Sequence, residues 1–154
     1  MVIMLLAAAT AMTGLLAGAS LDQSVKQLPA RHRIGAAAFS NYSRAADLAN
    51  GILFYAILGV GAALLNLAAA VVAWMAGTSG GEAAAIYAGG ALALLHSLLT
   101  GLAAPTNFRQ RRTRDPAVLA SIFDRFARLQ AFRCALQVAN FGVNLWAFAL
   151  LVRA

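Results

Sequence analysis

Four long runs of apolar residues dominate this chain, and short polar segments separate them. The runs cover approximately residues 2–23, 48–76, 83–104 and 130–152. A helix that rises about 1.5 Å per residue crosses a hydrocarbon core of roughly 30 Å within such a length. The pattern therefore predicts an all-α fold, an integral membrane four-helix bundle built as a single domain.

Helix-breaking residues set the expected ends of these helices. Pro29 and Pro105 are expected to stop the first and third helices, because proline interrupts the helical hydrogen-bond ladder. The second helix is expected to begin between Ser40 and Ala45, after a basic loop. A tight glycine-rich turn at residues 77–81 is expected to lead into the third helix.

An amphipathic segment precedes the fourth apolar run. Asp115 followed by Pro116 is a typical helix start, with the aspartate as N-cap and the proline in the first turn. Beyond it, apolar residues repeat at helical spacing on the face opposite Asp124, Arg125 and Arg128. We expect an amphipathic helical lead-in that lies near the membrane surface and continues into the fourth helix.

A row of polar residues runs along the fourth helix. It contains Arg133, Gln137, Asn140 and Asn144 at spacings of four, three and four, and Gln130 extends it toward the helix start. This spacing places all of them on one helical face. Because hydrocarbon offers no hydrogen-bond partner, the face must contact protein or water, and the other helices are expected to pack against it.

Composition and charge exclude two broad classes of protein. With 62% hydrophobic and 11% charged residues, the chain is too apolar for an ordinary soluble domain. The net charge of +7 does not indicate nucleic-acid binding, because eleven of the twelve basic residues lie in the first and third connections and the adjoining helix ends.

The positive-inside rule then predicts a multi-pass protein of the cell inner membrane, with cytoplasmic basic connections and both termini on the other side. The basic cluster at residues 109–114 is also expected to contact anionic membrane lipid.

Polar residues of all four helices fall in the cytoplasmic half of this topology and form the candidate site. Arg133 is expected to pair with Asp22 or Asp47, because a buried arginine in a membrane needs a partner. His96 is either a base near neutral pH or a hydrogen-bonded packing residue. The candidate catalytic residues are His96, Arg133 and Asp22, and the candidate substrate-binding residues are Asn107, Gln130, Gln137, Asn140 and Asp47.

Structural roles stay open for some of these residues. Asp47 is expected in the first turns of a helix, where the helix dipole stabilises a carboxylate. Asn140 and Asn144 either hold helices together or line a substrate cavity. No metal site is expected, because the two histidines lack a carboxylate cluster. The single cysteine, Cys134, excludes an internal disulfide.

Short motifs in this chain resemble the anthrone-oxygenase-like family of small four-helix membrane proteins. The motifs are Gly14-Leu-Leu-Ala-Gly18 followed by Pro29, Pro105-Thr106-Asn107, and Phe126-x-x-x-Gln130-x-x-Arg133. The family pattern at the last position is Trp-x-x-x-Asn-x-x-Arg, so the chain keeps the arginine and replaces the other two residues. The resemblance implies oxidation of anthrones to anthraquinones without a metal or flavin cofactor. It also implies functional roles for Asn107 and Arg133. A role for Gln130 follows only if glutamine performs the function of the asparagine in the family pattern.

Two interpretations of function remain at this point. In the first, the protein is a membrane enzyme or binding protein for a lipophilic aromatic or quinone-like small molecule. In the second, it is a non-catalytic subunit that packs against a partner membrane protein or forms a homo-oligomer, and its polar row only joins helices. A small transporter is less favoured because no internal repeat is evident. A cavity bounded by Arg133, His96, Gln137 and Asn140 would favour the first interpretation, and a filled core the second.

Overall fold

The computed structural model describes residues 1–153, which form helices joined by short turns. The α-helices are α1 (Val2–Leu21), α2 (Leu28–Ile34), α3 (Ala36–Ala45), α4 (Gly51–Met75), α5 (Gly80–Phe108) and α6 (Pro116–Arg153). Two π-helical segments, Asp22–Gln27 and Ala46–Asn50, join α1 to α2 and α3 to α4, and a 3-10 turn, Arg109–Arg112, extends α5. The predicted all-α four-helix bundle is confirmed.

Four long helices, α1, α4, α5 and α6, form the bundle. Helices α1 and α5 each pack against both α4 and α6, so chain neighbours are also spatial neighbours, as in an up-and-down bundle. The four helical stretches are long and apolar enough to cross a membrane. Large apolar side chains such as Leu64, Leu98 and Trp146 lie exposed on the outer surface, where hydrocarbon would cover them. These features describe a multi-pass membrane protein.

The two ends of the bundle differ in charge. We call the end that carries α2, α3 and the connection from α5 to α6 the basic end, because most of the arginines lie there. An ion pair of 3.0 Å between Arg31 of α2 and Asp124 of α6 joins the two parts of this end. The opposite end carries the N-terminus and the turn between α4 and α5.

Neither Pro29 nor Pro105 ends a helix, so that expectation is wrong. Pro29 is the second residue of α2 and follows a π-helical turn in which the amide of Leu28 donates to the carbonyl of Gln23. The wider turn accommodates a residue that has no N–H group. Pro105 lies inside α5, where the Thr106 hydroxyl donates to a carbonyl of the preceding turn at 2.9 Å. Helix α5 continues through Pro105 although this residue has no N–H group to donate to the carbonyl four residues earlier.

The second helical stretch begins earlier than predicted, at Ala36. Gly35, with φ of 85°, makes the turn between α2 and α3, a conformation that glycine adopts without a steric penalty. Alanines follow it, and alanine has the highest helix propensity. Asp47 therefore lies in a π-helical segment within a long helical stretch, with a kink at Ala49, and the helix-dipole explanation for Asp47 is wrong.

The amphipathic lead-in to the fourth bundle helix is confirmed. The Asp115 carboxylate accepts hydrogen bonds from the amides of Ala117 at 2.8 Å and Val118 at 3.3 Å, which makes it the predicted N-cap. Helix α6 then continues unbroken through the lead-in and the span. Its first part buries an apolar face made of Leu119, Ile122, Phe123 and Phe126.

The polar face of α6 lies inside the bundle, as predicted. Gln130, Gln137, Asn140 and Asn144 are each at most 4% exposed, so they contact protein and not the outer surface. Arg133, on the same face, is half-buried. The surrounding helices therefore supply the surface against which this face packs.

Gly89 of α5 lies at the centre of a cluster of amide groups. A Cβ atom on Gly89 would lie 2.6 Å from Oδ1 of Asn144, 3.1 Å from Oδ1 of Asn66 and 3.4 Å from Oδ1 of Asn140. The hydroxyl oxygen of Thr13 accepts hydrogen bonds from Nδ2 of Asn66 at 3.2 Å and of Asn144 at 3.4 Å. This cluster joins α1, α4, α5 and α6 at one level of the bundle.

Replacing Gly89 with alanine is expected to destabilise the bundle. The new methyl group would overlap the Asn144 oxygen, and overpacking of this kind costs about 1–3 kcal/mol. Thermal unfolding of the detergent-solubilised protein measures the effect. The matched control is Gly142→Ala in α6, where an added Cβ meets nothing within 4 Å. Equal midpoints for the two variants would contradict the close packing described for Gly89.

Candidate functional site

A cavity of about 210 Å³ lies at the basic end of the bundle, and we call it the basal cavity. All four bundle helices or the segments next to them contribute to its wall. Its apolar wall includes side chains of α4, α5 and α6. Its polar wall residues are Gln23, Asp47, Tyr55, Thr100, Asn107 and Arg133.

A second, more apolar space of about 400 Å³ lies between α4 and α5, and we call it the lateral cleft. Its wall includes Val60 and Leu64, which are 58% and 61% exposed, so the cleft reaches the outer surface of the bundle. Its inner wall carries His96. The cleft adjoins the basal cavity, because the two spaces share Tyr55, Ala56, Thr100 and Arg133.

Small residues of α4 account for the lateral cleft. Ala56, Gly59 and Ala63 recur at spacings of three and four, so they lie on one face of the helix. All three line the cleft. Their short side chains leave a gap between α4 and α5 that larger side chains would fill.

Arg133 lies on the walls of both spaces, and neutral groups hold its side chain. Its Nε donates to the Thr100 hydroxyl at 3.1 Å, and one terminal nitrogen, Nη1, donates to Oε1 of Gln130 at 2.6 Å. Within residues 1–153, no carboxylate lies at ion-pair distance from this guanidinium. The predicted pairing of Arg133 with Asp22 or Asp47 is therefore wrong.

Local contacts explain why the two aspartates leave Arg133 unpaired. Asp22 forms an ion pair with Lys26 one turn later and accepts a hydrogen bond from Gln27 at 2.5 Å, outside the walls of both cavities. Asp47 accepts a hydrogen bond from the Ser43 hydroxyl at 2.8 Å and lines the basal cavity. The structure thus places Asp47, and not Asp22, in the same space as Arg133.

His96 is both a hydrogen-bonded packing residue and part of the cleft wall. Its Nε2 lies 2.5 Å from Nε2 of Gln137 and 3.3 Å from the Thr100 hydroxyl. With the Gln137 amide as donor, Nε2 is the acceptor and the ring proton lies on Nδ1. The Thr100 hydroxyl also donates to the His96 carbonyl at 2.9 Å. Gln137, His96, Thr100 and Arg133 therefore form one connected polar network.

Gln110 positions two residues of the basal cavity. Its amide nitrogen donates to Oδ1 of Asn107 at 2.6 Å and to the Ser43 hydroxyl oxygen at 3.1 Å. Its amide oxygen accepts a hydrogen bond from Ser40 at 3.1 Å. Since Ser43 in turn donates to Asp47, this fully buried glutamine connects Asn107 to Asp47 across α3 and the end of α5.

The polar face of α6 divides into two parts. Arg133 lines both cavities, and Gln130 and Gln137 bond to residues of the cavity walls. Asn140 lies outside both cavity walls, in the packed cluster around Gly89. The candidates His96, Arg133, Asn107 and Asp47 are thus brought together, whereas Asp22 and Asn140 are not.

Four polar residues of this region were not among the predicted site residues: Gln23, Tyr55, Thr100 and Gln110. Tyr55 is a phenol inside an otherwise apolar run, and this was a usable sequence signal. Gln110 follows Asn107 by three residues, a helical spacing for two amides, but it stands among arginines. Gln23 had a weaker signal, because it borders the polar end of the first apolar run.

Comparisons of this chain with protein-family models, with curated proteins and with solved structures found no match. Within residues 1–153, no group of three or more His, Cys, Asp or Glu side chains is placed to hold a metal ion. The chemistry of the site therefore has to be inferred from its own residues. A guanidinium without an ion-pair partner, a carboxylate, a phenol and two amides lie on the wall of the basal cavity, which adjoins the lateral cleft.

Replacing Gln110 with leucine is expected to destabilise the basic end. The substitution keeps a similar volume but leaves Ser40 and Asn107 without their partner, and unsatisfied buried groups cost about 1–3 kcal/mol each. Thermal unfolding in detergent measures the loss. Asn41→Leu, at an exposed position of α3, serves as the control and is expected to leave the midpoint unchanged. An unchanged midpoint for Gln110→Leu would show that the network contributes little to stability.

Proposed function

We propose that this protein binds a flat, lipophilic aromatic molecule of the anthrone or quinone class in the basal cavity and the lateral cleft. The observation that carries the proposal is the state of Arg133. This half-buried guanidinium lies on the walls of both spaces and has no carboxylate partner within residues 1–153. An oxygen atom of the ligand supplies the missing partner.

The shape and polarity of the lateral cleft support an apolar ligand. Small-molecule sites have volumes of about 300–1,000 Å³ and mostly apolar walls with a few polar groups. The cleft, at about 400 Å³, has this character, with α4 side chains on one wall and His96 and Arg133 on the inner wall. Because its outer rim is exposed on the surface that faces hydrocarbon, the ligand enters from the bilayer.

The hydrogen bonds of Arg133 support a ligand that carries oxygen. Its Nε and Nη1 are fixed by Thr100 and Gln130, whereas Nη2 has no hydrogen-bond acceptor within residues 1–153. A charged donor held in this way forms strong hydrogen bonds to a carbonyl or phenolate oxygen. By the positive-inside rule, we expect this basic end on the cytoplasmic side of the cell inner membrane.

The same site is suited to oxygenation of an anthrone, and the specific observation is that Asp47 and Arg133 line one cavity. Asp47 removes a proton from the ring carbon opposite the anthrone carbonyl, and Arg133 stabilises the resulting enolate oxygen. The enolate carbon bonds to molecular oxygen, the resulting peroxide anion takes back the proton held by Asp47, and the hydroperoxide loses water to give the quinone. In total, one anthrone and one oxygen molecule give one anthraquinone and one water. Asp47 is therefore the base in this proposal, in place of the catalytic candidates His96 and Asp22.

The alternative, a non-catalytic subunit, is supported by the packed half of the polar face. Asn66, Asn140 and Asn144 surround Gly89 without lining either cavity, as expected for residues that join helices. This observation concerns the middle of the bundle. It leaves the unpaired Arg133 at the basic end unexplained, and for this reason we favour the ligand-binding proposal.

Replacing Arg133 with glutamine is expected to weaken binding of anthraquinone about 10- to 100-fold, because a charge-assisted hydrogen bond to the ligand is lost. Binding is measured by native mass spectrometry of the detergent-solubilised protein, with anthraquinone added as the probe. Arg128→Gln, at an exposed position of the same helix, is the matched control and is expected to bind normally. Equal affinities for both variants, or no binding by the unmodified protein, would overturn the proposal.

Replacing Asp47 with asparagine is expected to abolish anthrone oxidation and to leave anthraquinone binding nearly unchanged, since the amide keeps the shape but is not a base. The absorbance of anthraquinone and the uptake of oxygen are followed together, above the rate without protein. Asp124→Asn is the control, because Asp124 pairs with Arg31 away from the cavity. Binding without oxidation by the unmodified protein would reject the oxygenase step and retain the binding function.

A further inference from the structure

A groove of about 560 Å³ lies on the outer surface of the basic end, between the last turns of α5 and the lead-in of α6. We call it the arginine groove. Its wall is apolar along Gly101, Leu102 and Pro105 and carries Arg109, Arg112 and Arg125. It is distinct from the two cavities described above, and of its lining residues only Phe108 also borders the basal cavity.

Local geometry explains why the arginines converge there. Arg109 and Arg112 lie in a 3-10 turn, in which residues three apart project to the same side. Arg125 reaches the groove from the exposed face of the α6 lead-in. Arg111, within the same turn, instead donates to the Leu48 carbonyl at 2.5 Å and contacts the Phe108 ring.

The three groove arginines are not used by the fold. Within residues 1–153, their side chains form neither an ion pair nor a hydrogen bond, whereas Arg44 and Arg111 bond to backbone carbonyls. The acidic side chains of this end are engaged elsewhere: Asp22 with Lys26, Asp47 with Ser43, Asp115 at the start of α6 and Asp124 with Arg31. The groove therefore presents three uncompensated positive charges.

The order of apolar and charged residues along the groove matches one kind of ligand. The apolar part belongs to the membrane-spanning length of α5, and the arginines follow where that apolar sequence ends. A phospholipid has the same order, with an acyl chain in the hydrocarbon and a phosphate at the boundary. Guanidinium groups bind phosphate oxygens with two parallel hydrogen bonds, and an anionic headgroup adds attraction to each arginine.

We propose that the arginine groove is a binding site for an anionic phospholipid, with its phosphodiester at Arg109, Arg112 and Arg125 and an acyl chain along Leu102 and Pro105. This site is independent of the ligand proposed for the basal cavity. Its function is to hold a specific annular lipid against the connection between α5 and α6, the segment that follows Asn107.

Native mass spectrometry with added phosphatidylglycerol and phosphatidylcholine tests this site. The unmodified protein is expected to retain phosphatidylglycerol at least about tenfold more tightly than phosphatidylcholine. The triple variant Arg109→Gln, Arg112→Gln and Arg125→Gln is expected to lose about fivefold in affinity per arginine, up to about 100-fold in total. Its thermal midpoint without lipid is expected to equal that of the unmodified protein, because these side chains make no contact that the fold uses.

The control is a second triple variant, Arg33→Gln, Arg114→Gln and Arg128→Gln. It removes the same number of positive charges at exposed positions outside the groove. It is expected to keep its preference for phosphatidylglycerol. An equal loss in both triple variants would mean that net charge alone attracts the lipid, and would overturn the proposal. Displacement of the lipid by millimolar inorganic phosphate would also overturn it, because it would identify a site for a soluble phosphate and not for a lipid.

Discussion

The burial of polar groups where no water satisfies them is the constraint on which this structure depends. Helix α6 carries five polar residues on one face, and an apolar bundle has to supply partners for them or keep them next to a polar space. Thr13 of α1 accepts a hydrogen bond from Asn144, and His96 of α5 bonds to Gln137. Asn66 of α4 bonds to Thr13 and not to α6 itself. The order of the helices around the bundle follows from this requirement as much as from apolar packing.

Side-chain size along two helices decides where the polar face is closed and where it is open. At Gly89, the absence of a side chain lets three amide groups approach α5 closely, and the bundle is filled at that level. Nearer the basic end, the small residues Ala56, Gly59 and Ala63 of α4 face α5 across a gap. Small residues thus have opposite effects in the two places, because amide side chains fill the first space and no side chain fills the second.

The sequence was sufficient to predict the helices and the polar face of α6, but not the hydrogen-bond and ion-pair partners of individual side chains. Periodicity placed Gln130 to Asn144 on one buried face, and the Asp115-Pro116 pair located the start of α6. The prolines were misleading, because a π-helical turn precedes Pro29 and helix α5 continues through Pro105, and neither feature is evident from the sequence. The partners of Arg133 could not be predicted from the sequence either. The depth of Asp22 along its helix does not determine which neighbouring side chain its carboxylate contacts.

The state of Arg133 argues against a purely structural role for the basic end. An arginine at membrane depth costs about 2.5–3.5 kcal/mol, and an uncharged residue could fill the same position without that cost. Neutral partners, Thr100 and Gln130, orient the guanidinium but do not neutralise it. Asp47, the acidic residue on the same cavity wall, is bonded to Ser43, which Gln110 holds in place. The network therefore keeps the guanidinium and Asp47 apart on the wall of one cavity, and the ligand-binding proposal rests on this arrangement.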